Sequence, residues 1–178
     1  LLARQPAAVA FEGACAPPGP GSTTRAALER AGLRSGGSMV VQAAAGGVGL
    51  KATEYAQWLE AAVLGTAGRP HKHAQLRLAG VDALCSSRDG AAFAVGAARL
   101  LRAARSHAAL NSLSLDFIAA SFASCGEGGA FEELGKRGVW ASERAHAAAP
   151  TISYCAIALD ADIALDPSWM RALLMLLV

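Results

Sequence analysis

The run Val40-Val41-Gln42-Ala43-Ala44-Ala45-Gly46-Gly47-Val48-Gly49-Leu50 constrains the fold more than any other stretch of the chain. It reads as a short apolar strand, a tight turn of small residues and the first turn of a helix. That order opens a βαβ unit. The spacing Ala43-x-x-Gly46-x-x-Gly49 is a variant of the dinucleotide-binding fingerprint. The first N–H groups of a helix lack partners within it and carry partial positive charge. Small side chains beside them let an anion approach the backbone.

The rest of the chain continues the alternation. Pro17-Pro18-Gly19-Pro20-Gly21 reads as a loop or extended arm, because Pro and Gly oppose regular structure. Ser22 and Thr23 are expected to cap a helix running to Ala31. Strands are predicted over 39–42, 62–65, 82–85, 108–111 and 131–135, with a long sixth strand over 151–159. Helices are predicted over 50–59, 91–105 and 115–125. One more starts at Pro70 and ends near Gly80, and a last one is opened by Pro167. Gly126-Glu127-Gly128-Gly129 is expected to close the helix before the fifth strand. Short connections between alternating strands and helices imply a Rossmann-type, doubly wound α/β fold: a parallel sheet with helices on both faces. Residues 1–35 form an arm and short helix, 36–160 the dinucleotide-binding domain, and 161–178 a C-terminal helix that reads as truncated. In such sheets ligands sit beyond the carboxyl ends of the strands, which directs attention to strands one, two, four and five.

Composition excludes several classes. A net charge of +2 with no basic run gives no footprint for nucleic acid. No stretch is long and apolar enough to predict a transmembrane segment. Cys15, Cys85, Cys125 and Cys155 are scattered without a C-x-x-C pair, so a zinc site is not expected. They read as buried free thiols of a reducing compartment, cytoplasm or organelle interior, with the compartment otherwise open. His71, His73, His107 and His146 lack i,i+4 metal spacing and read as surface residues. Ser112 and Ser114 have no G-x-S-x-G elbow around them. Trp58, Trp140 and Trp169 read as packing residues, Trp169 equally as part of a protein contact.

Five segments, AAAGGVGLKATEYAQ, GTAGRPHKHAQLRLAGV, SSRDG, LNSLS and ELGKRGVW, occur in this order. Together they resemble the nucleotide-binding half of the medium-chain reductases, most closely the enoyl-reductase domain of polyketide and fatty acid synthases, with quinone oxidoreductases next. The likeness covers about Leu33 to Leu159. It implies NADPH as cofactor and hydride transfer to an enoyl thioester. It implies that Ala43, Gly46, Gly47, Val48 and Gly49 surround the pyrophosphate, with Arg69 and Lys72 beside the adenosine ribose. No carboxylate ends strand two, where one would favour NAD, and basic residues favour the 2′-phosphate of NADP. The resemblance places Asn111 near the nicotinamide ribose and Lys136 beside the nicotinamide as proton donor or orienting group.

The departures from the family weigh against independent catalysis. Residues 1–35 are too few for the β-rich catalytic domain that normally precedes this half. Glu60 replaces the glycine that ends the first helix of the unit, losing the easy left-handed cap. His107-Ala108-Ala109 replaces an Asp and two valines. Glu132 stands where an apolar residue belongs; buried and unpaired it would be costly or protonated, so it is expected to face a partner or solvent. The expectation is therefore an NADPH-binding domain without catalysis of its own. The alternative is a repurposed structural or accessory subunit. The corresponding partners are the missing catalytic half of a synthase or the other proteins of a larger complex.

Overall fold

A computed structural model describes residue 10, residues 18–102 and residues 104–176. Its elements are α1 (Pro18–Ala31), β1 (Ser38–Val41), α2 (Gly47–Trp58), β2 (Ala62–Ala67), α3 (Pro70–Leu78), β3 (Ala83–Ser86), α4 (Gly90–Leu101), β4 (Ser106–Asn111), α5 (Asp116–Ser124), β5 (Cys125–Glu133), α6 (Ser142–Ala148), β6 (Ser153–Ala156), α7 (Leu159–Leu165) and α8 (Pro167–Leu176). The strands lie in one sheet in the order β3-β2-β1-β4-β5-β6, every adjacent pair parallel. This is the doubly wound order, and it reverses between β1 and β4.

Alternate residues of the central strands feed two cores. Met39 and Val41 of β1 and Leu110 of β4 pack with α1 and α2 through Ala27, Leu28, Ala52 and Ala56. Val40, Ala109 and Phe131 point the other way, onto Phe93 of α4 and Phe117, Ile118 and Phe122 of α5. A parallel sheet covered on both faces buries its central strands on both sides, and Val40, Val41 and Ala109 are all fully buried. The small volume of Ala109 is matched on its side of the sheet by aromatic bulk: Phe122 stacks on Phe131 at 4.0 Å between ring centres and on Trp140 at 5.3 Å.

Several expectations are corrected. The segment Pro18-Gly19-Pro20-Gly21 is helical, because prolines in a first turn forfeit only N–H groups the helix does not use. Ser22 and Thr23 consequently lie inside α1 rather than capping it; Thr23 donates to the Gly19 carbonyl at 3.0 Å. The glycine run 126–129 is not a closing loop but the first part of β5, where the pairing with β4 shifts register between Ser106 and Ala108. The sixth strand spans only Ser153–Ala156, and α7 takes up the residues from Leu159 onward. Asp160 and Asp162 in the first turn of α7 suit the positive end of a helix. The helix α6, opened by Ser142-Glu143, is an addition to the expected set. Trp58 is 73% exposed, not a packing residue, although its ring leans on Tyr55 at 5.5 Å. Cys85 and Cys125 are buried free thiols and Cys155 a half-buried one; Cys15 lies outside the described residues. No helix among the described residues is long and apolar enough to cross a membrane.

Candidate functional site

The chain crosses from β1 into α2 through Gln42–Gly46, with Ala43 held at φ 51° in the left-handed region. Two bonds from β2 fix this turn: the Ala43 N–H donates to the Thr66 hydroxyl at 2.9 Å and the Ala44 N–H to the Thr66 carbonyl at 2.9 Å. The hydroxyl in turn donates to Gln42 Oε1 at 2.8 Å, and Gln42 Nε2 to Ser121 Oγ at 2.7 Å. All three polar side chains are buried. The helix cap, Gly46, brings no side chain of its own to the first N–H groups of α2. Gly49 is required by contact: a Cβ there would sit 2.6 Å from the Ala43 and Ala44 carbonyl oxygens. Only glycine lets α2 start this close under the strand end.

Above the turn lies a cavity of about 450 Å³. Ala43, Gly46, Gly47, Val48 and Gly49 line it from the turn, Ser112 from the end of β4, Lys136 from the end of β5, and Ile157 and Asp160 from beyond β6. It sits where the strand order reverses, at the carboxyl edge. Lys136 Nζ donates to the Ile157 carbonyl at 3.2 Å, tying the loop after β5 to that after β6. Asn111 is fully buried and does not line the cavity. Its Nδ2 donates to the Leu113 carbonyl at 2.6 Å and to Glu133 Oε2 at 2.8 Å, leaving Oδ1 without a partner.

A second cavity, of about 340 Å³, lies at the end of β2 and is lined by Gly68, Arg69, His73, Arg77 and Ser86 among others. Arg69 caps α3, and Lys72 stands exposed one turn on, outside the lining. Arg88 reaches over Gly68 from the β3 end: any side chain at 68 would collide with its guanidinium. Thr23 and Asp160, which line the first cavity, Arg77, which lines the second, and Arg88 beside Gly68 escape a reading of spacing, because sheet order and helix packing place them there. His73 is half-buried, in a hydrogen bond with the Ala67 carbonyl at 2.8 Å, and so departs from the surface reading, whereas His107 is exposed as expected and accepts the Ser38 N–H at 3.0 Å. Among the described residues no cluster of His, Cys, Asp and Glu could hold a metal ion.

Glu132 is 1% exposed, against the expectation that it faces solvent or a partner. Its Oε2 has no hydrogen-bond partner, and burial pushes its pKa up to about 7 despite nearby Arg30 and a hydrogen bond from Cys155. Arg30 is itself held by Asp162 of α7 at 3.0 Å.

The sheet order, the glycine turn and the cavity at the switch point define a nucleotide-binding domain of the doubly wound α/β class. No family model matches the chain. The erythronolide synthase EryA2 of Saccharopolyspora erythraea is 40% identical over 143 residues, which are 76% of this chain and 4% of that protein. An enoyl reductase domain of a polyketide synthase superposes with a TM-score of 0.77 at 30% identity, covering 86% of each chain. The nucleotide-binding subdomain of the enoylreductase domain of PpsC from Mycobacterium tuberculosis gives 0.78 at 29% identity, with 88% of this chain and 89% of that one covered. A mycobacterial protein solved with NADPH gives 0.81 at 25% identity, and the match covers 97% of this chain but 55% of that one. The chain belongs to the enoyl reductase domains of polyketide synthases, of which it spans the nucleotide-binding half.

Proposed function

We propose that this chain holds NADPH in the cavity above the glycine turn and does not reduce an enoyl thioester by itself. One observation carries the reading: Gly46, Gly47, Val48 and Gly49 line a cavity at the point where the strand order reverses, with the start of α2 beneath it. The residues present fit such a group. Gly46 brings no side chain to the first N–H groups of α2, and the residues lining the second cavity include Arg69 and Arg77 but no carboxylate. NADPH rather than NADH is supported by these basic groups and by the neighbour solved with NADPH.

When bound, the cofactor supplies a hydride. The chain's own part is to bind and orient it. The turn and the start of α2 hold the pyrophosphate, Arg69, Arg77 and Arg88 with Lys72 the adenosine end, and Lys136 orients the reacting end. Reduction of an enoyl thioester is proposed to need the catalytic half, since the chain spans about half of an intact relative. Two measurements test this. Titration should show saturable binding through NADPH fluorescence, and a crotonyl-type thioester should not be turned over. Turnover by this chain alone would overturn the second part.

The second reading, a reductase fold retained as a packing subunit of a larger assembly, is favoured by the exposed Trp58 and by the acid placed in the core at Glu132. Absence of saturable NADPH binding at about millimolar concentration would decide for it.

A further inference from the structure

We propose that Glu133 is a positioning residue, which holds the loop carrying Lys136 against the end of β4 and so shapes the nicotinamide end of the cavity. The inference rests on the nucleotide reading above.

Glu133 ends β5 and is 1% exposed, yet both carboxylate oxygens are occupied. Oε1 accepts the Gly135 N–H at 2.6 Å and Oε2 accepts Asn111 Nδ2 at 2.8 Å. A group between two N–H donors must accept on both sides and donate on neither, which an ionised carboxylate does and an amide does not. Burial pushes its pKa up, and the two donors pull it back.

The main chain completes the clamp. The Leu134 N–H donates to the Asn111 carbonyl at 2.7 Å, and the Ile157 N–H to the Glu133 carbonyl at 2.8 Å. Lys136 then donates to the Ile157 carbonyl. The ends of β4 and β5 and the segment after β6 are thus joined at one buried carboxylate, one residue before the loop that lines the cavity. Gly135 is part of the device. A Cβ at this position would lie 2.6 Å from Glu133 Oε1, so any other residue expels the carboxylate from the N–H it accepts. Asn111, expected beside the nicotinamide ribose, is in this arrangement the partner of Glu133 across the strands.

The test compares the full chain with Glu133→Ala, Glu133→Gln and Gly135→Ala. Each is titrated with NADPH and with 2′,5′-ADP, which reaches only the adenosine end. Glu133→Ala should weaken NADPH about tenfold and leave 2′,5′-ADP within about twofold. Glu133→Gln should recover part of the loss, because its carbonyl oxygen still accepts from Gly135. Amide hydrogen exchange on the ligand-free chain should show Gly135 losing protection while β1 and β4 keep theirs. Equal weakening of both probes, or unchanged Gly135 exchange, overturns the proposal. If Glu133→Ala fails to fold, Gly135→Ala carries the same comparison. Wild-type chain that binds neither probe sinks the nucleotide reading, and the exchange measurement then decides alone whether Glu133 holds the loop.

Discussion

The Thr66 hydroxyl accepts the N–H of Ala43 at 2.9 Å and donates to Gln42 Oε1 at 2.8 Å, so one side chain of β2 fixes the left-handed residue of the glycine turn. Thr66→Val is nearly isosteric and deletes both bonds, leaving a part-buried N–H and a buried amide oxygen unpaired. The expected loss is about 1–3 kcal/mol. Thermal unfolding should fall by roughly 2–4 °C per kcal/mol in a domain of this size. Thr66→Ser keeps the hydroxyl and should recover most of the loss.

Glu60 occupies the left-handed position after α2 at φ 55°, while the Ala61 N–H closes back on the Ala56 carbonyl at 2.8 Å. The backbone has kept the glycine conformation with a residue that resists it. A left-handed non-glycine costs about 1–2 kcal/mol, partly offset by the greater freedom glycine has in the unfolded chain. Glu60→Gly should therefore stabilise by about 0.5–1 kcal/mol, seen as a higher urea midpoint at unchanged slope. A lower midpoint would refute the strain.

The helix end at Glu60 was legible in the sequence because a helix ending and a missing glycine are local facts, but the left-handed cap expected to be lost there is kept. The doubly wound parallel sheet and the strand ends that hold the main cavity were legible for a related reason: the glycine turn and the alternation of strand and helix leave few ways to wind the sheet. The burial of Glu132 was not. Period and composition put it in a strand, but the groups that surround it, Arg30 and Cys155 among them, come from segments distant in the chain. Pro18-Gly19-Pro20-Gly21 misled because breakers in the middle of a helix are harmless in its first turn. Arg88 reaches Gly68, beside the cavity that Arg77 lines, only through the pairing of β2 with β3, which no motif spacing encodes.

The buried Glu132 makes stability depend on pH. Its folded pKa, about 7, lies above the ordinary value of 4.5 that holds when unfolded. Between these values the folded chain keeps a proton that the unfolded chain has lost, so stability falls as pH rises and levels off above about 7. The full penalty is about 3 kcal/mol. Glu132→Gln removes this titration. The variant should gain that amount over wild type at pH 8 and little at pH 4.5, measured by urea unfolding at each pH. The comparison cancels the other carboxylates. A difference independent of pH would show that folding does not raise the Glu132 pKa.

Arg88 lies over Gly68 at the end of β2, next to the cavity lined by Arg69 and Arg77, so the discrimination between NADPH and NADH is expected to rest on this cluster. A guanidinium pairs with a phosphate in two hydrogen bonds, worth about 1.5–3 kcal/mol when one partner is charged. Arg88→Ala should weaken NADPH by about tenfold or more and change NADH by less than about twofold. The salt dependence of NADPH binding should flatten with it, since exposed charge pairs are screened. Arg88→Lys keeps the charge but not the fork and should lie between the two. Lys72 stands outside the cavity lining, and Lys72→Ala should move NADPH affinity less than Arg88→Ala does. Equal losses for NADPH and NADH in Arg88→Ala would mean that the residue supports the end of β2 and does not read the 2′-phosphate.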